Sequence, residues 1–123
     1  MPLDIDAAIK ALDANAQAGP TGKCATYVRM ALEAGGLDLS VRPVSAKDYG
    51  PTLKAKGLKS AELKNYRPLK GDIVVIQSYQ GGDPHGHIAM YNGTQWVSDF
   101  KQRDMWGGPG YRRNTPNYAV FRP

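Results

Sequence analysis

Gly86-His87-Ile88-Ala89-Met90-Tyr91-Asn92-Gly93-Thr94-Gln95-Trp96-Val97-Ser98-Asp99 is the stretch that decides the fold. Apolar residues flank Asn92-Gly93, a dipeptide suited to the positive-φ backbone of tight hairpins, so the stretch predicts strand, turn, strand. Upstream, Ile73-Val74-Val75-Ile76 is short and β-branched and predicts an earlier strand. Pro68-Leu69-Lys70-Gly71-Asp72 launches it: Gly71 is free to take φ > 0, and Asp72 reads as a turn residue bonding its own backbone. Tyr118 to Phe121 supplies a last strand, after a Gly- and Pro-rich loop from Trp106 to Asn117.

The first half of the chain has a different period. Ile5, Ile9, Leu12 and Ala16 recur at helical spacing behind a capping Asp4 or Asp6, and Gly19-Pro20 stops the run. Ala25, Val28 and Leu32 make a second apolar stripe that ends at Gly35-Gly36, with Thr21 as N-cap and Cys24 in the first turn. Ser45 to Lys56 predicts a short third helix interrupted by Gly50-Pro51. Helices first and an antiparallel meander afterwards give an α+β fold, N-terminal helices packed on a small sheet. At 123 residues, residues 1–123 are expected to form one domain around one core.

A single cysteine excludes an intrachain disulfide framework, so packing must hold the fold. The net charge of +5 favours anionic polymers, but basic residues scattered from Lys10 to Arg122 do not choose among nucleic acid, membrane surface and cell wall. The Met1 to Gln17 segment carries Asp4, Asp6 and Asp13, unlike a secretory signal. No run approaches the roughly 20 apolar residues of a membrane helix. Cytoplasmic synthesis without membrane insertion is therefore expected; if the protein acts outside the cell, a dedicated export machine or lysis must carry it there.

A thiol at a helix N-terminus is favoured as thiolate by unpaired N–H groups and the helix dipole, which would prime Cys24 as a nucleophile. His87 opens a strand on which His87, Ala89 and Tyr91 share one face, and it can supply the base. A third residue should accept the second imidazole N–H. A three-residue Asn92-Gly93-Thr94 loop puts Asp99 opposite His87, whereas a two-residue Asn92-Gly93 turn puts Ser98 there; the ionised carboxylate is the stronger acceptor, which favours Asp99. Asp83, His85 and His87 lack further ligands for a metal site, so no metal is expected, and His85 reads as a loop residue at the cleft mouth. Arg112 and Arg113 are candidates for contacting acidic groups. Trp96, Phe100 and Trp106 serve either as substrate wall or as core. A basic module that binds wall or nucleic acid without catalysis is the rival reading, which thiol reactivity would separate.

Three blocks together, Gly22-Lys23-Cys24-Ala25-Thr26-Tyr27-Val28-Arg29, Pro68-Leu69-Lys70-Gly71-Asp72-Ile73-Val74, and Gly86-His87-Ile88-Ala89-Met90-Tyr91 with Trp96-Val97-Ser98-Asp99, resemble the NlpC-type and CHAP papain-like cysteine peptidases. The chain departs from the usual Asp-Cys-Ser-Gly block, since Lys23 precedes Cys24 and Ala25-Thr26 follow it. Small size, basic charge and the missing signal make it most similar to the amidase effectors of type VI secretion. The resemblance implies cofactor-free hydrolysis of an amide in peptidoglycan stem peptides or cross-links, with Cys24, His87 and Asp99 as the candidate residues, and not nucleic-acid binding. It also implies delivery to the periplasm of target bacteria and an immunity protein that plugs the cleft. A phage endolysin or housekeeping wall hydrolase would share the triad.

Overall fold

In a computed structural model that describes residues 3–123, the hydrophobic pattern folds into four α-helices and five antiparallel strands. The helices are α1 (Ile5–Asn15), α2 (Cys24–Ala34), α3 (Tyr49–Ala55) and α4 (Pro109–Asn114). The strands are β1 (Lys59–Ser60), β2 (Ile73–Ile76), β3 (His87–Tyr91), β4 (Trp96–Val97) and β5 (Tyr118–Arg122), arranged β1-β5-β2-β3-β4. β2 is buried on both faces, which explains its unbroken Ile-Val-Val-Ile sequence.

Alternation along the strands builds two cores. Ile73, Val75, Ile88 and Met90 face α1 to α3, where Leu12, Val28, Leu32 and Leu53 meet them. Val74, Ile76, Ala89 and Val120 face the other way, under Trp96, Trp106, Tyr111 and Tyr118. Trp96 and Trp106 thus belong to the second core.

The helix boundaries follow local chemistry. Asp4 caps α1, its Oδ1 accepting the Ala7 N–H at 3.0 Å. The third helical segment starts as a 3₁₀ turn (Ala46–Asp48) and continues as α3. Pro51 lies in the first turn of α3, where a missing N–H costs nothing. Gly50 lies against Phe121, whose ring would stand 3.0 Å from an added Cβ. Ser45 makes no cap bond; its hydroxyl shares a 2.6 Å hydrogen bond with His85 Nδ1. Two elements lay outside the sequence reading: β1, too short to show a pattern, and α4, inside the loop expected from Trp106 to Asn117. Pro109 at the start of α4 is a helix-start residue among glycines that mask it.

The turn before β2 is as expected, with Gly71 at φ 96° and Leu69 N–H donating to Asp72 Oδ2 at 3.0 Å. Asp72 does more than close the turn. Fully buried, it also accepts two 2.8 Å bonds from Arg122 at the end of β5 and one of 2.6 Å from the Tyr66 hydroxyl. Burial opposes its ionisation, but the bonds from Arg122, Tyr66 and Leu69 outweigh that and hold the carboxyl below its usual range. A depressed folded-state pKa stabilises above about pH 4 and loses that contribution as pH falls through the folded value. Asp72→Ala is expected to cost about 2–3 kcal/mol by urea unfolding at pH 7, and the difference from the parent should shrink below about pH 4. An unchanged difference at low pH would show that the lost turn, and not the charge, accounts for the effect.

Candidate active site

Cys24 is the first residue of α2, and α2 packs on β3, whose first residue is His87. Both line one cleft of about 430 Å³, together with Lys23, Asp83, His85 and Tyr111. The pairing of β3 with β4 ends at Met90 with Val97, and the backbone N–H groups of Ile88 and Ala25 lie near enough to the Cys24 sulfur to favour its ionised form. The thiol is half-buried, and burial pushes it up to about 11 against those N–H groups, with the Asp99 charge adding to the rise. Desolvation thus opposes the thiolate that the helix start favours. His87 moves the other way. Buried, it is pushed below the ordinary histidine value, against the Gln102 bond and the charges of Asp99 and Asp83.

The imidazole is oriented by Gln102, a residue the sequence did not suggest. Gln102 Nε2 donates to the carbonyls of Asp104 (2.9 Å) and Met105 (3.3 Å), which turns Oε1 towards the ring. His87 Nε2–H then donates to Oε1 at 2.7 Å, and Nδ1 carries the lone pair. Gly107 abuts this pair at φ 80°; a Cβ there would stand 2.7 Å from His87 Nε2. Tyr111 packs beside His87, ring centroids 5.7 Å apart.

Neither expected register is the observed one. Tyr91 pairs with Trp96 and Asn92 N–H donates to Gln95 O at 3.0 Å, so Gly93-Thr94 forms the tip and the partner strand slips by one residue. Asn92 causes this: its Oδ1 accepts the N–H groups of Thr94 (2.9 Å) and Gln95 (2.8 Å). The chain then reverses at once, with Ser98 N–H donating to Phe100 O and Gln102 N–H to Trp96 O. Gln102 thereby reaches His87, while Asp99 points to the loop before α2. Asp99 Oδ2 accepts Thr21 N–H (2.6 Å), Thr21 Oγ1–H (2.7 Å) and Lys23 N–H (3.3 Å), and Oδ1 accepts Ser98 Oγ–H (3.0 Å). Burial opposes its ionisation, yet these four donors hold the carboxyl below its usual range. Asp99 therefore lines the cleft as a clamp on the Cys24 loop, where the sequence suggested the acceptor for His87. Thr21, expected as the N-cap of α2, is a donor to that clamp.

The other candidates divide. His85 is exposed at the cleft mouth and Phe100 lines the cleft. Arg112 is taken up by Asp104, with bonds of 2.6 and 3.2 Å, and Arg113 is exposed. Among the described residues no group of His, Cys, Asp and Glu is arranged to hold a metal, and no helix is long and apolar enough to cross a membrane.

No family model matches the chain, and no curated protein does. Two solved structures match over nearly its whole length, both of the type VI effector-immunity complex Tae3-Tai3 from Ralstonia pickettii. The native crystal superposes with a TM-score of 0.89 at 44% identity, covering 97% of this chain and 98% of that one. The selenomethionine crystal gives 0.85 at 44% identity, covering 94% and 98%. At that identity and coverage, the chain belongs to the family of the type VI effector Tae3.

Proposed function

We propose that this protein is a papain-like cysteine amidase of the NlpC type that hydrolyses an amide in peptidoglycan stem peptides, as an antibacterial type VI effector. The observation that carries this reading is the cleft lined both by Cys24, at a helix start, and by His87, whose Nε2 is tied to Gln102. The family supports the effector role over an endolysin, and the +5 charge suits an anionic wall. A cognate immunity protein restrains the enzyme by covering the cleft near Cys24 and His87.

Both reacting groups start neutral. His87 Nδ1 takes the Cys24 thiol proton as sulfur attacks the carbonyl carbon, and the Cys24 backbone N–H at the start of α2 donates to the developing oxyanion. The imidazolium gives that proton to the leaving nitrogen, the C–N bond breaks, and a thioester remains. Water, deprotonated by Nδ1, attacks the thioester; the C–S bond breaks, releasing the carboxyl product and restoring the thiol. Gln102 holds the ring through both proton transfers, and Asp99 fixes the loop that presents Cys24.

Cys24→Ala and His87→Ala are each expected to fold normally and abolish hydrolysis, measured by digesting purified peptidoglycan and weighing the fragments; wild-type digestion by either variant would end the assignment. The neutral pair sets a pH signature. With the His87 pKa below 6.5 and the thiol near 11, kcat/KM should rise through a value below 6.5 and stay level above it. Alkylation by iodoacetamide, which needs the thiolate, should still climb between about pH 8 and 10. An alkylation plateau below pH 7 would mean a preformed thiolate-imidazolium pair. Gln102→Leu should lower kcat by about tenfold to a hundredfold and move the acid limb to lower pH, because the Gln102 bond raises the His87 pKa. Asp99→Asn should lower thermal stability together with rate, since it strips charge from a carboxylate with four donors. A lower rate with unchanged stability would return Asp99 to a direct role on His87.

A further inference from the structure

A second hollow, of about 410 Å³, adjoins the catalytic cleft, and the two share Ala25, Thr26 and Val44 as a common rim. The first turn of α2 is thus the partition: Cys24 faces one side, and Arg29, one turn further along, lines the other. Arg42, from the segment after α2, and Tyr49, from the first turn of α3, complete the polar lining.

Tyr49 is the informative residue. It is 2% exposed, packs in the main core and lines the hollow; no hydrogen bond joins its hydroxyl to a described residue, while the buried side-chain polar atom left without a partner among the described residues is Tyr111 Oη. Tyr49 Oη is therefore open to solvent at the hollow, a donor that a ligand oxygen can take. Burial pushes the hydroxyl pKa up, Arg29 and Arg42 pull it back, and Glu33 and Cys24 add to the rise. Arg29 keeps one end on Glu33 at 2.9 Å. Arg42 donates only to the Leu39 carbonyl at 3.2 Å, and no acidic side chain among the described residues pairs with it. Two guanidiniums around a free hydroxyl donor form a site for a planar anion with two oxygens.

We propose that Arg29, Arg42 and Tyr49 form a carboxylate-binding subsite for the substrate peptide, one rim away from the amide that Cys24 attacks. The proposal rests on the reading of the cleft as a peptide amidase and adds to it a direction. The peptide crosses the start of α2 with an acidic group seated between the arginines. Arg112, the candidate for acidic groups in the sequence, is occupied by Asp104, and the task passes to arginines of the helical layer.

The test uses the Cys24→Ala protein and a soluble stem peptide, with its carboxylates free or amidated, in equilibrium titrations at low salt. The acidic peptide should bind about tenfold tighter than the amidated one. Tyr49→Phe, which keeps the core ring, and Arg42→Gln should each weaken the acidic peptide by about threefold to tenfold and leave the amidated one unchanged. Equal affinity for the two peptides, equal losses on both, or no binding of either overturns the subsite. Hydrolysis by the unaltered chain is followed separately. Hydrolysis indifferent to amidation sinks the subsite alone, and carboxylate discrimination without hydrolysis sinks the amidase reading alone.

Discussion

The buried carboxylate of Asp99 is the tie on which the site depends. It is 2% exposed and satisfied by four donors, three of them from the loop immediately before Cys24. Leaving such a charge unpaired would cost several kcal/mol, so the loop has little freedom to drift from the sheet. The main chain repeats the tie, because Gln17 N–H donates to Asp99 O at 2.7 Å and Gln17 bridges to Phe100. Helix α2 is thereby fixed at its first residue, the one that carries the thiol.

The same segment serves both halves of the site. The chain reversal at Ser98 to Phe100 sends Asp99 towards the cysteine loop and returns Gln102 to the imidazole. One tight turn therefore positions the Cys24 loop and the His87 imidazole together, and a slip in it would displace both. Gly107 and Tyr111 close the far side of the ring, so the second core, which holds no helix of the first layer, acts as the wall behind His87.

Burial gives the site its protonation state. The cleft raises the thiol and lowers the imidazole, so burial favours the neutral form of each. The nearby backbone N–H groups of Ile88 and Ala25 act in the opposite sense and favour the ionised sulfur.

The sequence by itself determined what depends on short-range pattern. The helical stripe with Cys24 at its start, the Gly71-Asp72 turn, the β-branched β2 and the strand opened by His87 all stand in the structure as read. Each is governed by periodicity or turn chemistry within a few residues. The tertiary structure alone decided the partners of these residues. Asn92 accepted two backbone N–H groups and slipped the hairpin by one residue, which reassigned every cross-strand neighbour. The reversal after Val97 then gave His87 to Gln102 and Asp99 to Thr21, contacts 15 and 78 residues apart. No local rule reaches that far, and the thiol's raised pKa likewise comes from burial by segments distant in the chain. Local chemistry placed Cys24 and His87 on their elements; the cost of leaving the Asp99 carboxylate and the His87 imidazole unpaired in the interior chose which groups would meet.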